Sequence, residues 1–149
     1  MGGVKMKTCG KIFLLDDDAM MLKMYATFLS GYGLDVFATD NAYKMILYAR
    51  EMHPSVIVID VQMPVLNGWQ VLEFLKSDVK LKDIPVIMLT YNHEVKKAIA
   101  LGVAGFLLKP VEPKKLLETV EVYCEYEPNP VVWMNKDTVY SDKKDYFVK

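Results

Sequence analysis

SVIVIDVQMPVLNG, residues Ser55 to Gly68, joins four consecutive β-branched residues, Val56 to Ile59, to a lone carboxylate at Asp60 and then to the turn formers Pro64, Asn67 and Gly68. A strand with no polar position has no face to show to water, so it is buried on both sides, as strands of a parallel sheet are. Asp60 then marks the point where that strand leaves the core. The residues after it turn the chain away.

Similar short apolar runs occur at Ile12 to Leu15, Leu34 to Phe37, Val86 to Leu89 and Phe106 to Leu108. The segments between them have helical spacing. Leu22, Tyr25, Ala26 and Leu29 share one helix face, with a stop at Ser30-Gly31. Thr39-Asp40-Asn41 supplies N-cap chemistry to a stripe of Ala42, Met45, Ile46 and Ala49. A third helix begins after Gly68 and a fourth near His93. The last opens on Pro113, places Leu116, Leu117, Val120, Tyr123 and Cys124 on one side, and is expected to end at Pro128 and Pro130.

Buried strands alternating with helices imply a parallel sheet covered on both faces by right-handed crossovers. Five such units predict an α/β fold of the doubly wound (βα)5 type, a flavodoxin-like three-layer sandwich with strand order 2-1-3-4-5. An eight-unit barrel does not fit. The expected organisation is an N-terminal extension over 1–10, one domain over 11–126 and an aromatic-rich tail over 127–149.

The totals fit one domain: 149 residues, 52% hydrophobic, 25% charged. A formal net charge of −1 with scattered lysines gives no general pull toward nucleic acid or a membrane surface. The apolar run near the N-terminus stops at Asp16, too soon for a signal sequence or a span, so a cytoplasmic location is expected. The two cysteines, Cys9 and Cys124, lack metal spacing and are expected to be reduced thiols.

Functional groups in such a sheet gather beyond the carboxyl ends of the strands, where the strand order reverses. There the first strand delivers Asp16-Asp17-Asp18 and the third delivers Asp60. Clustered carboxylates repel unless they share a proton or hold a cation, and an all-oxygen site suits Mg²⁺. Thr90 ends the fourth strand and Lys109 follows the fifth. Carboxylates, a hard cation, a hydroxyl and an ammonium are what a phosphoryl group requires while charge spreads over its oxygens. The carboxylate nearest the metal can itself be the nucleophile. Singly, each residue has an ordinary reading: Asp18 is a good N-cap, and Lys109 before Pro110 a plain loop residue. What sets them apart is that four strand ends coincide, each carrying a chemically complementary group.

FLLDDDAM, VIVIDVQMPVLNG, PVIMLT and AGFLLKP, in that order over about residues 10 to 126, resemble the receiver domain of two-component response regulators. The resemblance implies a phosphorylation-controlled switch, not a classical enzyme, with Asp60 as phosphoacceptor. It implies that Asp17 ligates Mg²⁺ (or Mn²⁺) directly, that Asp16 assists through water, and that the backbone carbonyl of Gln62 completes the protein ligands with Asp60. It further implies that Lys109 pairs with Asp60 and then with the phosphoryl oxygens, and that Thr90 moves to hydrogen-bond that group. Phe106 falls at the aromatic switch position, and Lys109-Pro110 at a common cis peptide. The implied partners are a histidine kinase or phosphotransfer protein as donor and a downstream protein as reader.

Two departures from the family pattern stand out. The interval from Thr90 to Lys109 is short by roughly one helical turn, and Tyr91 occupies a position usually held by a small residue. Tyr91, Gln62 and Asn92 are accordingly the side chains placed to modulate phosphorylation or hydrolysis rates. Two rival readings are a receiver-like interaction module that is not phosphorylated and a haloacid-dehalogenase-like Mg²⁺ phosphohydrolase. The second lacks the required residue after Asp16-Asp17-Asp18 and has no cap. His53, His93 and Trp69 are read as structural. The tail aromatics, Trp133, Tyr140, Tyr146 and Phe147, fit packing on the body, a strand shared in a homodimer, or the start of an output region.

Overall fold

The structure is a computed structural model that describes residues 5–8, 10–91 and 94–128. Its main sheet contains β2 (Ile12–Leu15), β3 (Val36–Thr39), β4 (Val56–Asp60), β5 (Val86–Thr90) and β6 (Gly105–Leu108). All neighbours are parallel, in the order β3-β2-β4-β5-β6. Counted within this sheet alone, that is the expected 2-1-3-4-5. The oily run is the buried middle strand: every residue of β4 is buried.

The strand period divides the core into two layers. Phe13, Leu15, Ile57, Ile59, Val86 and Met88 face Met45 and Ala49 of α2 (Ala42–Met52), Leu72 and Leu75 of α3 (Gly68–Ser77), and Ala98 of α4 (Val95–Ala100). Ile12, Leu14, Val56, Val58, Ile87 and Leu89 face Tyr25 and Leu29 of α1 (Ala19–Gly31) and Leu116 and Val120 of α5 (Pro113–Glu121). Reversing this alternation by one residue in any strand would place its side chains in the wrong layer.

Caps chosen by the sequence fix the helix starts. Asp18 accepts from the amides of Met20 and Met21, and Asn41 from Lys44. Asn67 and Gln70 form a reciprocal capping box at α3. Glycine is required just inside that box, because a Cβ on Gly68 would lie 2.5 Å from the backbone oxygen of Asp60. The close approach folds the loop against the end of β4. Val65, in the same loop, has φ 66° with the Leu66 amide donating to Pro64 O across it, a tight three-residue turn strained for a β-branched residue.

Several boundaries differ from expectation. The second strand of the sheet spans Val36–Thr39 and not Leu34 to Phe37. Leu34 instead closes the end of α1: with Gly33 at φ 85°, its amide donates to Leu29 O while Gly33 donates to Ser30 O, a Schellman pattern. Helix α5 stops at Glu121, well before the prolines, and Tyr123 and Cys124 lie in the turn that follows. Their apolar spacing continued the helical stripe because both are shielded from the turn: Tyr123 packs on the same layer and donates its hydroxyl to Ala104 O, and Cys124 is buried.

The two ends of the domain also pair. β1 (Lys5–Thr8) and β7 (Glu125–Pro128) form an antiparallel ribbon in which Thr8 is the register partner of Glu125. Cys124, next to Glu125, is buried and disulfide-bonded, which corrects the expectation of a reduced thiol there. Cys9, Asn92, His93 and the tail aromatics lie outside the described residues. No helix among the described residues is long and apolar enough to cross a membrane.

Candidate functional site

Four parallel strands release their last residues at one edge of the sheet. β2 is followed by Asp16 and Asp17, β4 ends in Asp60, β5 ends in Thr90, and β6 is followed by Lys109. The crevice lies where chain connections leave β2 and β4 in opposite directions, the switch point of a doubly wound sheet. Asp16, Asp60 and Thr90 are buried, while Asp17 stands at the exposed rim.

Lys109 closes the crevice. Its Nζ lies 2.7 Å from Asp60 Oδ1 and 3.7 Å from Asp16 Oδ2, with all three side chains almost wholly shielded from solvent. The following Lys109-Pro110 peptide is cis. Burial weakens the ammonium's hold on its proton, but the hydrogen bond to Asp60 and the charges of Asp16 and Asp60 outweigh it, so its pKa lies above the ordinary lysine value.

One ammonium does not balance this much negative charge. Asp16 accepts from the amide of Asp18 through Oδ1, whereas its buried Oδ2 finds no hydrogen-bond donor among the described residues. Burial, and next the charge of Asp60 against the help of Asp18 and Lys109, pushes the Asp16 carboxyl up to about 7. Carboxylate oxygens of Asp16, Asp17 and Asp60 lie within 4.8 Å of one another. An orphaned buried oxygen in an all-oxygen cluster fits a hard divalent cation such as Mg²⁺.

Gln62 and Tyr91 form the other wall. Gln62 Nε2 donates to Thr90 Oγ1 at 3.0 Å, and its Oε1 accepts the Tyr91 amide at 3.4 Å. The Tyr91 ring, 64% exposed, lies over Lys109 with Nζ 5.3 Å from its centre. Phe106 is half-buried against the layer that holds α2, α3 and α4. Trp69 is buried and anchors the short α4: its indole nitrogen donates to Glu94 at 3.0 Å, and Lys97 sits 4.8 Å from its ring centre. His53 caps α2 in a left-handed conformation away from this edge.

The structure thus brings Asp16, Asp17, Asp60, Gln62, Thr90, Tyr91 and Lys109 to one crevice. Sequence reasoning missed the grip of the Gln62 carboxamide on Thr90. A strand-end glutamine carries no signal of its own, and only the parallel β4–β5 pairing, with Asp60 beside Leu89, brings it within reach.

A doubly wound α/β domain whose acidic switch-point crevice is closed by a buried lysine defines a narrow class of signalling domain. The sequence model of the response regulator receiver domain matches residues 12–121, and the chain belongs to that family. Receiver domains are signalling switches, generally not classical enzymes, and bind Mg²⁺ through an acidic pocket like the aspartate cluster described above.

The chain is 35% identical over 109 residues to "Probable transcriptional regulator ycf27" of Pyropia yezoensis, an alignment covering 71% of this chain and 44% of that protein. It therefore spans less than half the length of the ycf27 relatives. It is 26% identical over 115 residues to the polar-differentiation response regulator DivK of Brucella ovis, covering 75% of this chain and 94% of DivK. Among solved structures it resembles the chemotaxis response regulator CheY4 of Vibrio cholerae, with a TM-score of 0.71 at 27% identity, covering 78% of this chain and 99% of that one.

Proposed function

We propose that this chain is a phosphorylation-controlled switch that accepts a phosphoryl group on Asp60 from a phosphohistidine of a histidine kinase or phosphotransfer protein. The observation that carries the reading is Lys109 Nζ at 2.7 Å from Asp60 Oδ1 inside a cluster of three carboxylates. An oxygen of the Asp60 carboxylate forms the new P–O bond as the P–N bond of the donor breaks, and the imidazole nitrogen leaves with the electron pair. Lys109 neutralises charge on the phosphoryl oxygens, and Thr90 turns its hydroxyl to the same group.

Asp16, Asp17, Asp60 and the backbone carbonyl of Gln62 would hold Mg²⁺ (or Mn²⁺). Bound there, the ion supplies the positive charge that the donor's phosphoryl oxygens and the acceptor need to approach each other. Rotation of Phe106 follows the movement of Thr90, and a downstream protein reads the shifted population. Tyr91, Gln62 and Asn92 set the rates. The proposed working unit is residues 11–126 in the cytoplasm, flanked by the extension and the tail, with a homodimer as one assembly open to it.

A second reading, a receiver-like interaction module that is never phosphorylated, draws on Tyr91 over Lys109 and on a six-residue α4. Incubation with Mg²⁺ and acetyl phosphate, followed by intact-mass measurement, separates the two. Retention of one phosphate, absent in Asp60→Asn, supports the switch. Turnover of a phosphate ester without retained phosphate supports a hydrolase, and no reaction even with a cognate kinase supports the silent module.

A further inference from the structure

Gln62 is exposed as a residue, yet both ends of its carboxamide are engaged at the tip of β5. The assignment of the two ends follows from chemistry. A backbone amide only donates, so Oε1 must face the Tyr91 N–H, which leaves Nε2 to face the Thr90 hydroxyl. The carboxamide thereby ties the end of β4, two residues beyond Asp60, to the end of β5.

Thr90 is fully buried, and its Oγ1 sits in the inner of these two contacts, 3.0 Å from Gln62 Nε2. A hydroxyl held by this donor cannot also swing freely toward Asp60. We propose that Gln62 is a positioning residue that latches Thr90 in the unphosphorylated arrangement, and that its carboxamide must release Thr90 before the hydroxyl can turn to a phosphoryl group on Asp60. The latch rests on the reading of Asp60 as phosphoacceptor. It adds a ground-state restraint: the more firmly Gln62 holds, the smaller the population ready to bind the phosphoryl group.

The test uses the full chain with Mg²⁺ and beryllofluoride, which imitates a phosphoryl group on a carboxylate, and compares Gln62→Met, Thr90→Ala and the double variant. Methionine keeps the length of glutamine but makes neither contact. Releasing one neutral hydrogen bond should tighten beryllofluoride binding by Gln62→Met by about three- to tenfold. The same substitution in the Thr90→Ala background should change binding by less than about twofold, because nothing remains to be released. Unchanged or weaker binding by Gln62→Met, or an equal gain in both backgrounds, overturns the latch.

Thr90 side-chain scalar couplings in the metal-free protein give a readout that does not involve Asp60. A shift of the Thr90 rotamer populations in Gln62→Met supports the latch, and identical populations in both proteins overturn it. Failure of the unsubstituted protein to bind beryllofluoride, or undiminished binding by Asp60→Asn, overturns the reading of Asp60 and the latch with it.

Discussion

Lys109 Nζ and Asp60 Oδ1 are 2.7 Å apart in a crevice where both side chains are almost completely buried. A buried charge left without its partner is expensive, so Lys109→Met should destabilise the metal-free protein by about 3–5 kcal/mol. Asp60→Asn is expected to cost far less, because it also removes repulsion against Asp16. Urea denaturation of both variants in a chelating buffer checks the contrast; equal losses would contradict the pairing.

Asp16 makes stability depend on pH in an unusual sense. Its carboxyl keeps its proton up to about pH 7 in the fold but only to about pH 4 in the unfolded chain. Between those values the folded state holds the extra proton, so stability falls as pH rises from about 4 to about 7 and is level above that. The effect is on the order of 4 kcal/mol and should vanish in Asp16→Asn. Denaturation at several pH values across that window, without divalent cations, measures it.

Mg²⁺ needs the charged form, so its affinity should rise through the same window, with about one proton released per ion below pH 7. Calorimetry in two buffers of different ionisation enthalpy counts that proton. Binding without proton release would separate the metal from Asp16.

Val65 carries a β-branched side chain at φ 66° while 96% exposed, so it has strain and no packing to offset it. Replacing it with glycine, which takes positive φ in such a turn without side-chain strain, Val65→Gly, should stabilise the protein by about 0.5–1 kcal/mol. A higher midpoint in thermal unfolding checks it, and a lower one would show that the loop holds another conformation in solution.

Tyr91 lies across the mouth of the crevice with its ring over Lys109. Removing a contact of this kind is worth about 0.5–1 kcal/mol, so Tyr91→Ala should raise the rates of phosphorylation by acetyl phosphate and of dephosphorylation by about two- to fivefold. Time courses of phosphate uptake and loss measure both. If neither rate moves, the ring does not control access.

The site was legible because its parts are strand ends, and buried strands announce themselves. Val56 to Ile59 and Val86 to Leu89 are apolar throughout, so Asp60 and Thr90 stand out as their terminations. The β1–β7 ribbon was not legible: KMKT and EYEP alternate without a long apolar run, and pairing across the whole chain leaves no local trace. The early stop of α5 was hidden because Tyr123, which packs on the core layer, and the buried Cys124 keep the helical spacing from a turn. Gln62 was assigned a metal-facing carbonyl and a rate-modulating side chain, but the hold of its carboxamide on Thr90 and Tyr91 depends on which strands are neighbours.

The most direct measurement of the central claim is to locate the phosphoryl group chemically. After incubation with Mg²⁺ and acetyl phosphate, borohydride reduces an aspartyl phosphate to homoserine, and peptide mass spectrometry reads the modified position. Conversion confined to position 60, and lost without Mg²⁺, is the predicted result. Conversion at Asp16 or Asp17 instead, or none while phosphate is retained elsewhere, would contradict it.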